Sequence, residues 1–198
     1  MKEMLNKMTA REEMVNLSDG GHTGDNLGLL PLLQRRCKVI VVCDGEADGD
    51  YSFNSFNNAV RMAYIEENIE IDIDLSPIVP EKNKDGSYKL SKESVAIGKI
   101  TYPPKKKGEH RTTGELIYLK SSMSKLNRPL PVHVKNYKKG NSKFPHQTTA
   151  DQFFDDAQFE AYRALGAHIA DQAIQKADTL KTKCDDAAVV DDNKDLQS

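Results

Sequence analysis

Val39-Ile40-Val41-Val42-Cys43 is an unbroken apolar run between the charges of Lys38 and Asp44. A β-branched run of that kind fits a strand buried on both faces of a sheet. Just before it, residues 26–36 carry Leu27, Leu29, Leu30, Leu32 and Leu33, which predicts a buried helix. Pro31 either marks the first turn of that helix or kinks it. A shorter apolar run, Met14-Val15-Asn16-Leu17, precedes the helix and reads as another strand. Strand, helix and strand in that order predict a crossover unit in a mostly parallel or mixed sheet, hence an α/β fold.

The same reasoning extends along the chain. Residues 2–13 read as an amphipathic surface helix. Residues 53–67 repeat apolar side chains at helical spacing through Phe56, Ala59, Val60, Ala63 and Tyr64. Ile71, Ile73 and Leu75 alternate with Asp72 and Asp74, which predicts a half-exposed strand. Residues 95–102 and 114–120 are two further strands, and a lysine-rich loop between them suggests a long antiparallel hairpin. Asp85-Gly86 marks a turn, and residues 125–144 read as a basic, loop-rich stretch. Thr149 and Gln152 have capping-box spacing and predict a helix to about residue 176. Its buried stripe would be Ala150, Phe154, Ala157, Ala161, Leu165 and Ile169. Phe153, Phe159 and Tyr162 also read as core. Residues 181–198 are acidic and aperiodic, which predicts a disordered tail after a single domain over 1–180.

Composition excludes several classes. The formal net charge is −2, which argues against nucleic-acid binding by bulk charge. No apolar stretch is long enough to cross a bilayer and no signal-peptide pattern opens the sequence, so the expected location is cytoplasmic or peripheral to a membrane. Cys37, Cys43 and Cys184 lack metal-ligand spacing, and no metal or other cofactor is expected. His146 and His168 read as capping or packing residues. Lys105, Lys106, Lys107, Lys138 and Lys139 could meet anionic lipid head groups, although lysine runs in loops are usually only solvated.

Two places could carry chemistry. Asp19 stands on a turn made by Gly20 and Gly21, where adjacent glycines permit a bend that side chains would forbid. A carboxylate held this way can serve as a general base to a hydroxyl within hydrogen-bond reach. The commoner fate of Asp-Gly is a plain turn or cap. The second place is the loop bearing Asp44, Glu46, Asp48 and Asp50. It imitates the first half of a calcium loop, but its twelfth position is Ser55 where a bidentate Glu is needed. Asp44 and Glu46 at a strand end also imitate a metal-dependent phosphatase, whose further acids and lysine are not evident from sequence. A solvated acidic loop is the plainer reading.

The first place has a specific likeness. Leu17-Ser18-Asp19-Gly20-Gly21-His22, then Asn26-Leu27-Gly28-Leu29 and Arg35-Arg36-Cys37, resembles the carboxylate-bearing segment of patatin-like phospholipases. It is most similar to bacterial members related to the cytosolic phospholipase A2 catalytic domain. Gly98-Lys99-Ile100-Thr101-Tyr102, Phe144-Pro145-His146-Gln147 and Ala157-Gln158-Phe159-Glu160-Ala161-Tyr162 extend the resemblance to most of residues 16–170. It implies a three-layer α/β/α sandwich with a Ser–Asp dyad that cleaves lipid esters. Asp19 matches the dyad aspartate, Gly20 and Gly21 its turn, and His22 and Asn26 neighbouring polar positions that shape the site. The family's serine lies in Gly-x-Ser-x-Gly, which these 198 residues lack, as they lack a glycine-rich oxyanion loop before Asp19.

The expectation is therefore the C-terminal part of such a hydrolase, inactive alone. In the complete protein the substrate would be a phospholipid or other lipid ester, at a membrane surface. A non-catalytic module that completes a separate serine-bearing chain is the alternative. A half-sheet would also expose a strand edge and favour self-association.

Overall fold

A computed structural model describes residues 24–84, 86–125, 129–148, 150 and 152–195, with side chains as far as 178. Asp19, Gly20, Gly21 and His22, together with the expected first helix and first strand, lie outside the described residues.

The elements follow in chain order. Helix α1 is Leu30–Gln34, strand β1 Val39–Asp44, helix α2 Asn54–Glu67 and strand β2 Glu70–Asp72. A 3-10 turn at Ser76–Ile78 leads toward strand β3, Val95–Tyr102, and strand β4, Thr112–Lys120. Helix α3, Val132–Gly140, and the long helix α4, Asp156–Asp195, complete the described chain. The four strands form one mixed sheet in the order β1-β4-β3-β2. β1 pairs parallel to β4, with Val41 opposite Ile117, and the two other pairings are antiparallel. This is the expected α/β class, and the β3–β4 hairpin runs in register from Val95–Leu119 to Tyr102–Thr112.

Strand alternation divides the core in two. Ile40, Val42, Ile100, Leu116 and Tyr118 point to one face and pack with Leu29, at the start of α1, with Leu33 of α1 and with Phe56, Ala59 and Ala63 of α2. Val95 and Ile117 belong to the opposite face, with Val134 of α3 and Ala161, Leu165 and Ile169 of α4. Helices thus cover both faces, making three layers.

Helix α1 is shorter than the leucine pattern suggests because its start is fixed from outside. The Asp25 carboxylate accepts hydrogen bonds from the amides of Leu29 at 3.0 Å and Leu30 at 2.8 Å. These are groups a helix start leaves unpaired. Pro31 falls in the first turn, where its missing N–H costs nothing. Arg36, with φ of 57°, closes the helix.

Several expectations are corrected. β1 is not buried on both faces: Ile40, Val42 and Asp44 are buried, whereas Val39, Val41 and Cys43 are exposed. The reason is position, since β1 ends the sheet order and α4 packs against β3 and β4. The final helix opens at Asp156, not at the Thr149-Gln152 box, because Asp155 caps it through the Gln158 amide at 2.6 Å. Phe153, Phe154 and Phe159 precede or face away from the buried stripe and are exposed, at 91%, 53% and 61%. Ala150 and Ala157 are exposed with them. The helical backbone of α4 continues to Asp195. The basic stretch after β4 contains α3.

Asp25→Ala removes two capping bonds to a buried helix start. It is expected to lower stability by about 1–2 kcal/mol, read as a shift of the urea midpoint with unchanged slope.

Candidate functional site

β1 and β4 run parallel and finish side by side, with Asp44 opposite Lys120 in the register. Both are the last residues of their strands and both point to the core face, in line with Val42 on β1 and Tyr118 on β4. Their side chains are 1% and 0% exposed, and Lys120 Nζ lies 2.9 Å from Asp44 Oδ1. Two ions removed from water need nearly every lone pair and proton occupied. Here they are. Asp44 Oδ1 also accepts the Glu46 amide at 2.9 Å, and Asp44 Oδ2 accepts the Tyr118 hydroxyl. Lys120 reaches the Glu46 carbonyl at 3.4 Å and lies 3.8 Å from Asp48 Oδ2. Burial, and then the neighbouring Asp44 carboxylate, push the Tyr118 hydroxyl well above the usual phenol range. It therefore stays a donor to Asp44.

Beyond β1 the chain folds over this pair as a loop of carboxylates that act on protein groups. Asp48 accepts hydrogen bonds from the Ser52 amide and hydroxyl at 2.9 and 2.8 Å and from the Phe53 amide at 2.9 Å. Partial burial opposes its ionisation, but the bonds from Phe53 and Ser52 outweigh it and hold its pKa below the usual carboxylate range. These bonds organise the chain just before α2. Phe53, which immediately precedes the helix, has φ of 52°.

Glu46 looks the other way. Its Oε1 accepts the Ser55 hydroxyl at 2.6 Å and the Asn26 amide side chain at 2.8 Å, and Asn26 also donates to Ser55 at 3.2 Å. Asn58 of α2 donates to the Gly24 carbonyl at 2.7 Å. The segment from Gly24 to Asn26, which follows Asp19 in the sequence, is thereby fastened at two points, to the acidic loop and to α2. It sits beside the carboxyl end of β1, the end at which open α/β sheets bind ligands.

His146 meets the same loop from a distant part of the chain. Its Nδ1 receives the Asp48 amide at 3.3 Å and lies 3.4 Å from the Glu46 carbonyl, and its ring meets Tyr51 edge-on at 4.9 Å. Burial lowers the pKa of this imidazole, reinforced by the Lys120 and Lys138 charges and opposed by the Glu46 carbonyl and Asp48. It is an anchor of the loop, close to the packing role its sequence context suggested.

The sequence-predicted residues are thus partly brought together. Asn26, Asp44, Glu46 and Asp48 form one network, whereas Asp19, Gly20, Gly21 and His22 fall outside the described residues. Of the calcium and phosphatase patterns, Asp44, Glu46 and Asp48 are already engaged by protein groups. Asp44 faces a lysine ammonium where a phosphatase acid would face a metal ion. Among the described residues, no group of three or more His, Cys, Asp or Glu could hold a metal ion. Lys120 and Tyr118 were missed from sequence, although a signal existed. Leu116, Tyr118 and Lys120 are two apart, so a strand that buries the first must aim the last at the core. No family model matches the chain, nor does any curated protein or solved structure.

Two outcomes follow from this geometry. Lys120→Met leaves the Asp44 carboxylate buried without its cation and is expected to cost about 3–5 kcal/mol. Lys120→Met with Asp44→Leu should recover a substantial part of that, measured as a double-mutant cycle in urea. The depressed Asp48 pKa gives stability that is present above the unfolded value of about 4 and is lost as pH falls through the folded value. Asp48→Asn should therefore be less stable at pH 7. It should also show a shallower loss than the wild type between about pH 4 and pH 2, followed by circular dichroism.

Proposed function

We propose that this chain is the carboxylate-bearing part of a patatin-like lipid acyl hydrolase, with Asp19 as the base to a serine supplied elsewhere. One observation supports it best. Gly24 and Asn26, a few residues after the Asp19-Gly20-Gly21 turn, are pinned by Asn58 and by Glu46 and Ser55 beside the carboxyl end of β1. A base has to be held within hydrogen-bond reach of its hydroxyl, and a doubly fastened segment of this kind would restrain the turn it follows. In this reading Asn26 is a positioning residue, Gly20 and Gly21 supply the bend, and His22 lines the site.

The chemistry requires a nucleophile that the 198 residues do not present in a Gly-x-Ser-x-Gly setting. The serine hydroxyl would give its proton to Asp19 as its oxygen attacks the ester carbonyl. The alcohol or lysophospholipid would leave, and water would then release the fatty acid from the acyl-serine. β1 supports a composite assembly. Among the described residues it pairs only with β4, which leaves its other edge open, and Val39 and Val41 are 57% and 54% exposed on the sheet face that α4 leaves uncovered there. A further strand could extend the sheet at that edge. Such an edge also favours self-association when it is left open.

Hydrolysis of a short-chain nitrophenyl ester and of phosphatidylcholine micelles tests the proposal. The purified chain alone should not exceed the buffer rate. Co-expression with a Gly-x-Ser-x-Gly chain encoded beside it should restore turnover, and Asp19→Asn should lower that turnover by about 10²–10⁴-fold. Turnover by the lone chain, or turnover of the pair that Asp19→Asn leaves unchanged, would sink the reading.

A further inference from the structure

A cavity of about 270 Å³ lies against the tip of the acidic loop, between Tyr51, Tyr88, Phe144 and His146. Lys89, Lys138 and Lys143 also line it, and no described carboxylate does. In a chain of net charge −2 that imbalance is local and directional.

The cations differ in what already holds them. Lys89 is paired with Glu81 at 2.8 Å. Lys138 donates to two carbonyls, Ser142 at 2.8 Å and Phe144, and has no carboxylate partner among the described residues. Two acceptors leave one of its three N–H groups uncommitted. Burial alone draws its pKa below the ordinary lysine value, with no acid pulling the other way. Lys143 is exposed at the rim.

His146 adds a second, independent signal. Nδ1 of His146 is taken up on the loop side, between the Asp48 amide and the Glu46 carbonyl, which leaves Nε2 as the ring's other polar atom. That nitrogen is buried and has no hydrogen-bond partner among the described residues. A buried polar atom without a partner is unfavourable, and the Lys138 ammonium, which also lines the cavity, acts on this ring.

We propose that this cavity binds a phosphate ester on a small organic group, with Lys138, Lys143 and His146 taking the oxyanion. The rings of Tyr51, Tyr88 and Phe144 pack on the organic part. Two ammoniums and a ring N–H suit a tetrahedral oxyanion with three peripheral oxygens better than a two-oxygen carboxylate. The volume admits one such group and excludes a nucleic-acid strand. This inference stands apart from the acyl-hydrolase reading, since it uses none of that site's residues.

The full 198-residue chain is titrated with glycerol 3-phosphate by calorimetry, and separately with phosphatidic acid vesicles by co-sedimentation. Binding of the free ester assigns a soluble ligand, and binding of vesicles alone assigns a lipid head group. Either supports the site if Lys143→Ala weakens it by about fivefold and Lys138→Met by about tenfold or more. Lys143→Ala guards against a folding artefact, because its side chain is exposed. Absence of binding in both titrations overturns the proposal. So does binding that both variants leave unchanged, or acetate binding as tightly as the phosphate ester.

Discussion

The Lys120–Asp44 ion pair is the constraint on which the rest of this structure depends. It joins the last residues of two parallel strands that are far apart in sequence, and it does so with both side chains buried. A pair of this kind is weak support for stability by itself, because desolvating each ion costs several kcal/mol. Its value lies in the conditions it imposes. The Asp44 carboxylate is satisfied there by Tyr118, the Glu46 amide and Lys120 together. β1 and β4 must therefore keep their register, and the loop after β1 must turn back immediately. A slip of one residue would move Lys120 to the opposite face, among Ile117 and Val95.

From that turn the acidic loop acquires its form. Asp48 is drawn inward by the Ser52 and Phe53 amides and sets the start of α2, whose Phe56 ring then packs on Tyr118 at 4.7 Å. The phenol that satisfies Asp44 with its hydroxyl is thus held in place by a helix that Asp48 helps begin. Glu46 remains on the outer side and fastens Asn26. The carboxylates that look from sequence like one ligand set are divided by geometry into three tasks: a buried counter-ion, a support for a helix start and a clamp on an incoming segment.

Much of the fold was legible in the sequence because it rests on periodicity. The alternation in residues 95–102 and 114–120 gave the hairpin, and the spacing of Phe56, Ala59 and Ala63 gave the buried face of α2. What failed depended on tertiary position. The run from Val39 to Cys43 looks buried on both faces, but a pattern of side chains cannot say that its strand ends the sheet. Asp155 marks the helix start because it stands three residues before the first buried position of the helix, Gln158, whose amide it accepts; Thr149 lies outside the described residues. The exposed Phe153, Phe154 and Phe159 follow from the same shift. Of the candidate site, Asn26 and the loop acids could be named in advance. Their partners Lys120 and His146 lie 76 residues from Asp44 and 98 from Asp48, beyond the reach of any local motif.

His146 shows why the two charged regions can coexist so closely. On one side it meets Asp48 and Glu46 through their backbone atoms, and on the other it lines a cavity with Lys138 and Lys143. An imidazole kept neutral by burial adds charge to neither region. It also receives the Asp48 amide, whose neighbouring carboxylate is already engaged with Ser52 and Phe53. Asp44, Glu46 and Asp48 are thereby committed to amides, to Lys120 and to side chains around α2, and Lys138 beyond His146 has no carboxylate partner among the described residues. The chain's small net charge conceals this arrangement, in which opposite charges are separated by one neutral ring.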